Sequence, residues 1–393
     1  MKIHILTFVI LILLCSKSMA QSNIDVILGS IDNNNLTLKA LRDEGGAQKY
    51  ANKVGTTLAN PEVEFAYLWG SSNEAGSKKD ISVTQSFDFA TILGYKGSVA
   101  QKENVLVDIR YKNERMNLLL EAKKQCYQAI YYNAIIIELD MRLQYAESTA
   151  NAYKRKLDTG DANILEYNKA MLNLTLVKAE KQKAIVSIVD IMSELTRLNG
   201  GVALTLNDTS FDAIAPLPDF DTWYSEAETK SPILEYVKND ITLRREQIKL
   251  SKSVWYPTIS AGYVSEFEKV DKFHGISLGI SVPLWADKNK IKQAKAAVTA
   301  SESRQSEAKI DFFYKIKSLY DKTVALQKSA TEIKVSISQL NTTRLLDKAL
   351  ENGQISILDY IVEASLYYDA IQQSLMAERD YYLSLAELSA FTL

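Results

Sequence analysis

The chain has 393 residues, with 46 Lys+Arg against 48 Asp+Glu and a formal net charge of −2. So even a balance gives no electrostatic case for a nucleic-acid partner. Two cysteines and two histidines leave almost nothing from which to build a catalytic histidine site or a His/Cys metal centre, and no nucleotide-binding loop, nucleophile elbow or zinc motif is present. The expectation is a protein that is not an enzyme and holds no cofactor or metal.

Residues 1–20 read as a secretory signal peptide. Lys2 supplies the positive start, residues 3–14 form an apolar core, and Ser18-Met19-Ala20 fits the small-x-small rule for cleavage before Gln21. Acylation at Cys15 is the rival reading, but Leu14 stands where a lipoprotein signal wants a small residue. Removing the signal leaves one cysteine, Cys126, and one histidine, His274, so no internal disulfide forms. Cys126 reads as a small buried apolar residue and His274 as structural or solvated. Downstream there is no apolar run of about 18 residues and so no membrane-spanning helix. With only six prolines, long helices are expected.

The remainder reads as two structural repeats, 21–199 and 221–393, joined by a linker at 200–220 with a short strand at 202–206. Pro61-Glu-Val-Glu-Phe-Ala-Tyr67 matches Pro257-Thr-Ile-Ser-Ala-Gly-Tyr263. Gly160-Asp-Ala-Asn-Ile-Leu-Glu-Tyr167 matches Gly353-Gln-Ile-Ser-Ile-Leu-Asp-Tyr360. Each repeat predicts an opening helix (36–60 and 221–255), a β-hairpin (61–90 and 257–285) and a long helical hairpin (93–199 and 288–391). The helical hairpins turn at Gly160 and Gly353.

In the β-hairpins, Val63, Phe65, Tyr67 and Trp69 alternate with Glu64, Ala66 and Leu68, and Ile276, Leu278, Ile280, Val282 and Leu284 alternate with Ser277, Gly279, Ser281 and Pro283. Period two gives one apolar and one polar face. Aromatic residues gather at the strand ends: Trp69, Phe87, Trp255, Tyr256, Phe267, Phe273 and Trp285. That is the pattern of an interfacial girdle in a membrane barrel. Two water-soluble hairpins with a buried face would alternate in the same way. Four strands cannot close a barrel, which needs about eight, and open edges are not tolerated in lipid, so several chains must share one.

Along the long helices, Leu106, Ile109, Met116, Leu120, Tyr127, Ile130, Ala134, Ile137 and Met141 follow heptad-like spacing. Leu165, Leu172, Ala179 and Val186 recur every seven residues, as do Ile361, Tyr368, Leu375 and Tyr382. After each turn, Ser356-Ile-Leu-Asp359 forms a capping box and Asn163-Ile-Leu-Glu166 resembles one.

The signal, the duplicated strand-strand-long-helix unit, Ser281-Val-Pro-Leu-Trp285 before a helix and Gly-x-x-x-Ile-Leu-[Glu/Asp]-Tyr at each helical turn together resemble the TolC-like outer membrane efflux proteins. The resemblance covers nearly the whole chain after the signal. It implies a mainly α fold with membrane β structure: a homotrimer in which two β-hairpins per chain build a 12-stranded β-barrel in outer-membrane lipid, above a helical tunnel in the periplasm. It implies a periplasmic adaptor and an inner-membrane pump as partners, with drugs, metal ions or proteins as cargo.

The turns with Gly160, Leu165, Gly353 and Leu358 become the adaptor-docking tip. Asp359 matches the first of two gate aspartates, with Val362 in the second position and Glu363 beside it, making Asp359 and Glu363 the candidate pore constriction. Mutual repulsion there is expected to raise some carboxylate pKa values. Trp69, Phe87, Trp255, Phe267, Phe273 and Trp285 become the membrane girdle. Two departures stand out: Ser86 occupies the place of Pro283 in the first hairpin, and no long extension follows Leu393. The short chain and Gly160-Asp161 also resemble the cobalt-zinc-cadmium resistance branch, which favours metal ions as cargo. A non-channel periplasmic adaptor coil, or the channel of a type I protein secretion system, is the alternative.

Overall fold

The computed structural model describes residues 23–71, 76–268, 271–285, 288–339 and 342–393. The expected signal peptide and Cys15 lie outside the described residues. The described elements, in order, are α1 (Asn23–Asn34), α2 (Leu36–Lys53), β1 (Glu62–Trp69), β2 (Ser77–Phe87), α3 (Ala90–Thr159), α4 (Ile164–Leu198), α5 (Phe220–Lys230), α6 (Pro232–Ser253), β3 (Thr258–Phe267), β4 (Lys272–Ser281), α7 (Lys290–Ser338), α8 (Thr342–Glu351) and α9 (Ile357–Leu388), closed by a 3₁₀ turn, Ala390–Thr392. No described helix is long and apolar enough to cross a membrane.

The chain divides into two compact units, each drawn from both halves of the sequence. A helical unit comprises residues up to Lys39, Glu114–Ala227 and Lys315–Leu393. A sheet unit comprises Ala40–Asn113 and Glu228–Tyr314.

The helical unit is built around α3, α4 and α9. Its main core gathers Ala122, Cys126, Ile130, Leu195, Tyr381 and Tyr382. Helix α1 joins this core through Ile24, Ile27, Leu28 and Ile31, one apolar stripe at helical spacing. Sequence reading left α1 unassigned. Cys126 is buried as expected, and burial pushes its thiol up to about 12, so it stays protonated at neutral pH.

Several expected boundaries are corrected. The opening helix of the second half is not one helix over 221–255 but two, because Ser231 caps α6 and Pro232 occupies its first turn. The opening helix of the first half ends at Lys53, short of residue 60, where Gly55 takes φ +76°. The long helix expected over 288–350 is two elements, α7 and α8. Around that break the sequence runs Ser336-Ile-Ser338-Gln-Leu-Asn-Thr-Thr343, and Ser338 Oγ turns back onto Val335 O; such side chains compete with the helical ladder. No strand forms at 202–206. That segment is held by Asn133, whose Nδ2 donates to Leu206 O at 2.9 Å.

Of the heptad positions, Leu106, Ile109, Tyr127, Ile130 and Ala134 are buried, and Ile361, Tyr368 and Leu375 pack against the core clusters with buried Tyr382. Ile137, Met141, Leu165, Leu172 and Val186 are instead exposed in the single chain. On α4 the packed stripe is Ala170, Leu174, Val177, Ala184, Ile191 and Leu195, offset from the expected one.

In the sheet unit the four strands form one antiparallel sheet in the order β1-β2-β3-β4. Its register places Val63 opposite Val83, Val83 opposite Tyr263, and Tyr263 opposite Ile276. Since paired residues share a face, the apolar rows of both hairpins coincide.

Candidate functional site

The residues singled out in the sequence fall on two surfaces, the sheet and the helical turns. On the apolar face of the sheet, Val63, Phe65, Ile81, Val83, Tyr263, Ile276, Leu278 and Ile280 are all exposed, several by more than two thirds of their surface. No described element covers this face. The opposite face carries Ser82, Thr84, Ser260, Gly262, Gly275, Ser277, Gly279 and Ser281 in register. Among the described residues, β1 and β4 are open edges.

The aromatic residues divide between the strand ends. Tyr67, Trp69 and Phe267 stand near the hairpin turns, with the Tyr67 and Trp69 ring centroids 6.1 Å apart. Phe87 stands at the other end, opposite Ile259. Beyond the strands, on that side of the chain, Phe89 meets Tyr256 at 5.8 Å, while Trp255 and Trp285 are exposed. Phe273 departs from the expectation. It pairs with Glu266, and Glu266 with Asp80, so its ring lies on the polar face rather than in the apolar girdle. Clustering of aromatics near strand ends suggested a girdle residue; parity along β4 already placed Phe273 out of phase with Ile276.

In the helical unit the two turns share one cluster of buried residues: Ala146, Ala150 and Tyr153 of α3, Ala170, Leu174 and Val177 of α4, and Ile357, Tyr360 and Ala364 of α9. Gly160 and Gly353 both take positive φ, +81° and +67°, as the left-handed residue after a helix end requires. Both capping boxes form. Asn163 Oδ1 accepts from Glu166 N at 3.0 Å, and Asn163 N donates to Glu166 Oε2 at 2.8 Å. Ser356 Oγ accepts from Asp359 N at 3.2 Å, and Ser356 N donates to Asp359 Oδ2 at 3.1 Å.

Within one chain the bonds from the Ser356 side chain and backbone hold the Asp359 carboxyl below the ordinary carboxylate range. Asp359 and Glu363 are exposed, and with Val362 and Leu366 they form one face of α9. Leu165 and Leu358, matched residues of the two turns, are exposed as well.

No protein-family model and no curated protein sequence matches the chain. Solved structures do. A membrane protein from Pseudomonas aeruginosa matches at TM-score 0.75 with 12% identity, over 95% of this chain and 94% of its own. The outer membrane protein VceC from Vibrio cholerae matches at TM-score 0.71 with 12% identity, over 94% and 95%. The outer membrane channel CmeC from Campylobacter jejuni matches at TM-score 0.66 with 13% identity, over 94% and 85%. The chain shares their fold.

This is the single-chain TolC-like fold that the sequence led us to expect. Within it, one buried feature escaped sequence reading. Arg142 of α3 lies nine-tenths buried between cavities of about 310 and 190 Å³. Its Nη2 donates to Tyr368 O of α9 at 2.9 Å, and its guanidinium lies 4.3 Å from the Tyr368 ring centre. Glu138, one helical turn back, is 3.7 Å away, and Glu180 of α4 is 3.6 Å away. Arg142 therefore ties three helices together. Burial raises the Glu138 carboxyl, while Arg142 opposes that shift. An arginine four residues after a glutamate is an ordinary exposed helix pair in sequence, and only the packing reveals it as buried.

Proposed function

We propose that the chain is an outer-membrane exit channel of a tripartite efflux system in a Gram-negative bacterium, a passive route for small molecules or metal ions from the periplasm to the outside. The carrying observation is the four-stranded sheet with an uncovered apolar face and two open edges. Such a face is stable in lipid, and such edges are tolerated there only if other strands close them. Three copies supply 12 strands, enough for a barrel whose Ser/Gly face lines the pore. The exposed α4 residues Leu172 and Val186 are then covered by a neighbouring copy.

The turns at Gly160 and Gly353, with Leu165 and Leu358, are the docking surface for a periplasmic adaptor, which links the channel to an inner-membrane pump. Asp359 and Glu363 line the constriction. Cell fractionation and native mass analysis of the detergent-extracted protein test the reading: an outer-membrane trimer is expected, and a periplasmic monomer stable without detergent overturns it. In planar bilayers the trimer is expected to prefer cations. The Asp359→Asn, Glu363→Gln variant should lose that preference with the trimer intact, and unchanged selectivity would remove the constriction from these residues.

A further inference from the structure

The carboxylates of the strands are confined to one face of the sheet. By register, the carboxylates of the strands, Glu62, Glu64, Asp80 and Glu266, all stand on the polar face, where Lys78 pairs with Glu266 at 2.8 Å. The apolar face carries none within the strands. Its charged side chains are Lys79 and Lys272, with His274 one row further in.

These two lysines belong to a single row across all four strands. Tyr67 of β1 lies opposite Lys79 of β2, Lys79 opposite Phe267 of β3, and Phe267 opposite Lys272 of β4. Ring and ammonium thus alternate along the row. Lys79 Nζ is 5.7 Å from the Tyr67 ring centre and Lys272 Nζ is 5.9 Å from that of Phe267. The row stands at the hairpin-turn end of the strands. Towards the other end the same face runs through Phe65 and Ile81, then Val63, Val83, Tyr263 and Ile276.

We propose that the row Tyr67–Lys79–Phe267–Lys272 is a binding belt for the phosphate groups of anionic lipid headgroups. A lysine beside hydrocarbon lays its stem along apolar surface and holds its ammonium at headgroup depth, and the rings beneath favour the same depth. Cations without carboxylates on that face are complementary to lipid phosphates. In zwitterionic phosphatidylcholine the choline cation competes with the lysines for the phosphate, so an anionic headgroup is preferred. A role limited to solubility in the hairpin would not need every strand carboxylate to face the other way.

The inference rests on the channel reading, and the experiment separates the two. The full chain is reconstituted into vesicles of phosphatidylcholine alone and of phosphatidylcholine with phosphatidylglycerol, and protein-bound lipid is identified by native mass analysis. The wild-type protein is expected to insert into both and to enrich phosphatidylglycerol, less so as salt is raised. Lys79→Gln, Lys272→Gln should insert but lose the enrichment, by about fivefold for each lysine. Lys78→Gln, the sequence neighbour facing the other way, should keep it. Equal enrichment in the double variant, or equal loss in Lys78→Gln, overturns the belt. Failure of the wild-type chain to insert into either vesicle overturns the channel reading itself.

Discussion

Gly262→Val is expected to prevent the sheet from forming while the helical unit still folds. Gly262 sits on β3 between β2 and β4, on the polar face. A Cβ there would lie 2.7 Å from Val83 O, 2.7 Å from Ser277 Oγ and 2.8 Å from Thr84 Oγ1. Two of these neighbours are hydroxyls that can rotate; the third is a backbone carbonyl fixed in the ladder, so the strands themselves must move. Overpacking of this kind costs about 3 kcal/mol, and it falls on the ladder that joins β2, β3 and β4. Gly279→Ala is the control, since its Cβ would meet only the Ser260 side chain. Membrane insertion lost in the first variant and kept in the second is the expected pair of results, with helix content by circular dichroism mostly retained in both. Full insertion by Gly262→Val would show that the strands do not pack in this register.

The second large effect is expected from Arg142→Met. Removing the guanidinium takes the charge partner from Glu138, which is nearly buried, and cuts the bond to Tyr368 O. Breaking a buried pair from one side costs about 3 kcal/mol at neutral pH. The effect depends on pH. Glu138 is an acid with a raised folded-state pKa, so its protonated form is favoured in the fold. The stability linked to it is fully present below the unfolded carboxylate pKa and is lost as pH rises through the folded value. Without Arg142 that folded value rises further, so the loss extends to higher pH. Unfolding by urea in detergent at pH 4 and pH 7 should show a larger deficit at pH 7. Adding Glu138→Gln should recover about 1–2 kcal/mol. A deficit independent of pH would mean that Arg142 acts through packing alone.

What could be read from the sequence follows from how local each signal is. Strand parity, the capping boxes at Asn163 and Ser356 and the glycines at 160 and 353 are short-range patterns, and the structure carries all of them. The break at Ser231-Pro232 is equally local, a cap and a first-turn proline set inside a longer helical pattern that masks them. Phe273 is near a strand end, but parity and not position decides its face, and parity puts it opposite Glu266. The heptad at Leu165, Leu172 and Val186 illustrates a different limit. Periodicity identifies an apolar stripe but not which neighbour covers it, and within one chain α4 buries Leu174, Val177 and Ile191 instead. The Arg142 network depends on three helices far apart in sequence, and no local pattern announces it.

The pairing of β2 with β3 has a consequence for the order in which this protein is made. Val83 pairs with Tyr263, so the central seam of the sheet joins segments from opposite halves of the chain. During synthesis β1 and β2 emerge long before their partner, and a two-stranded hairpin is at best marginally stable alone. Its apolar face and free edge therefore stay open while α3, α4, α5 and α6 are translated. Non-local closure of this sort is slow and leaves the strands prone to aggregation. The helices, whose contacts are local, are free to form first. A holding chaperone that binds alternating apolar segments would be needed for residues 62–87 more than for any helix; β3 closes the free edge of β2, but the apolar face of the finished sheet stays uncovered within one chain.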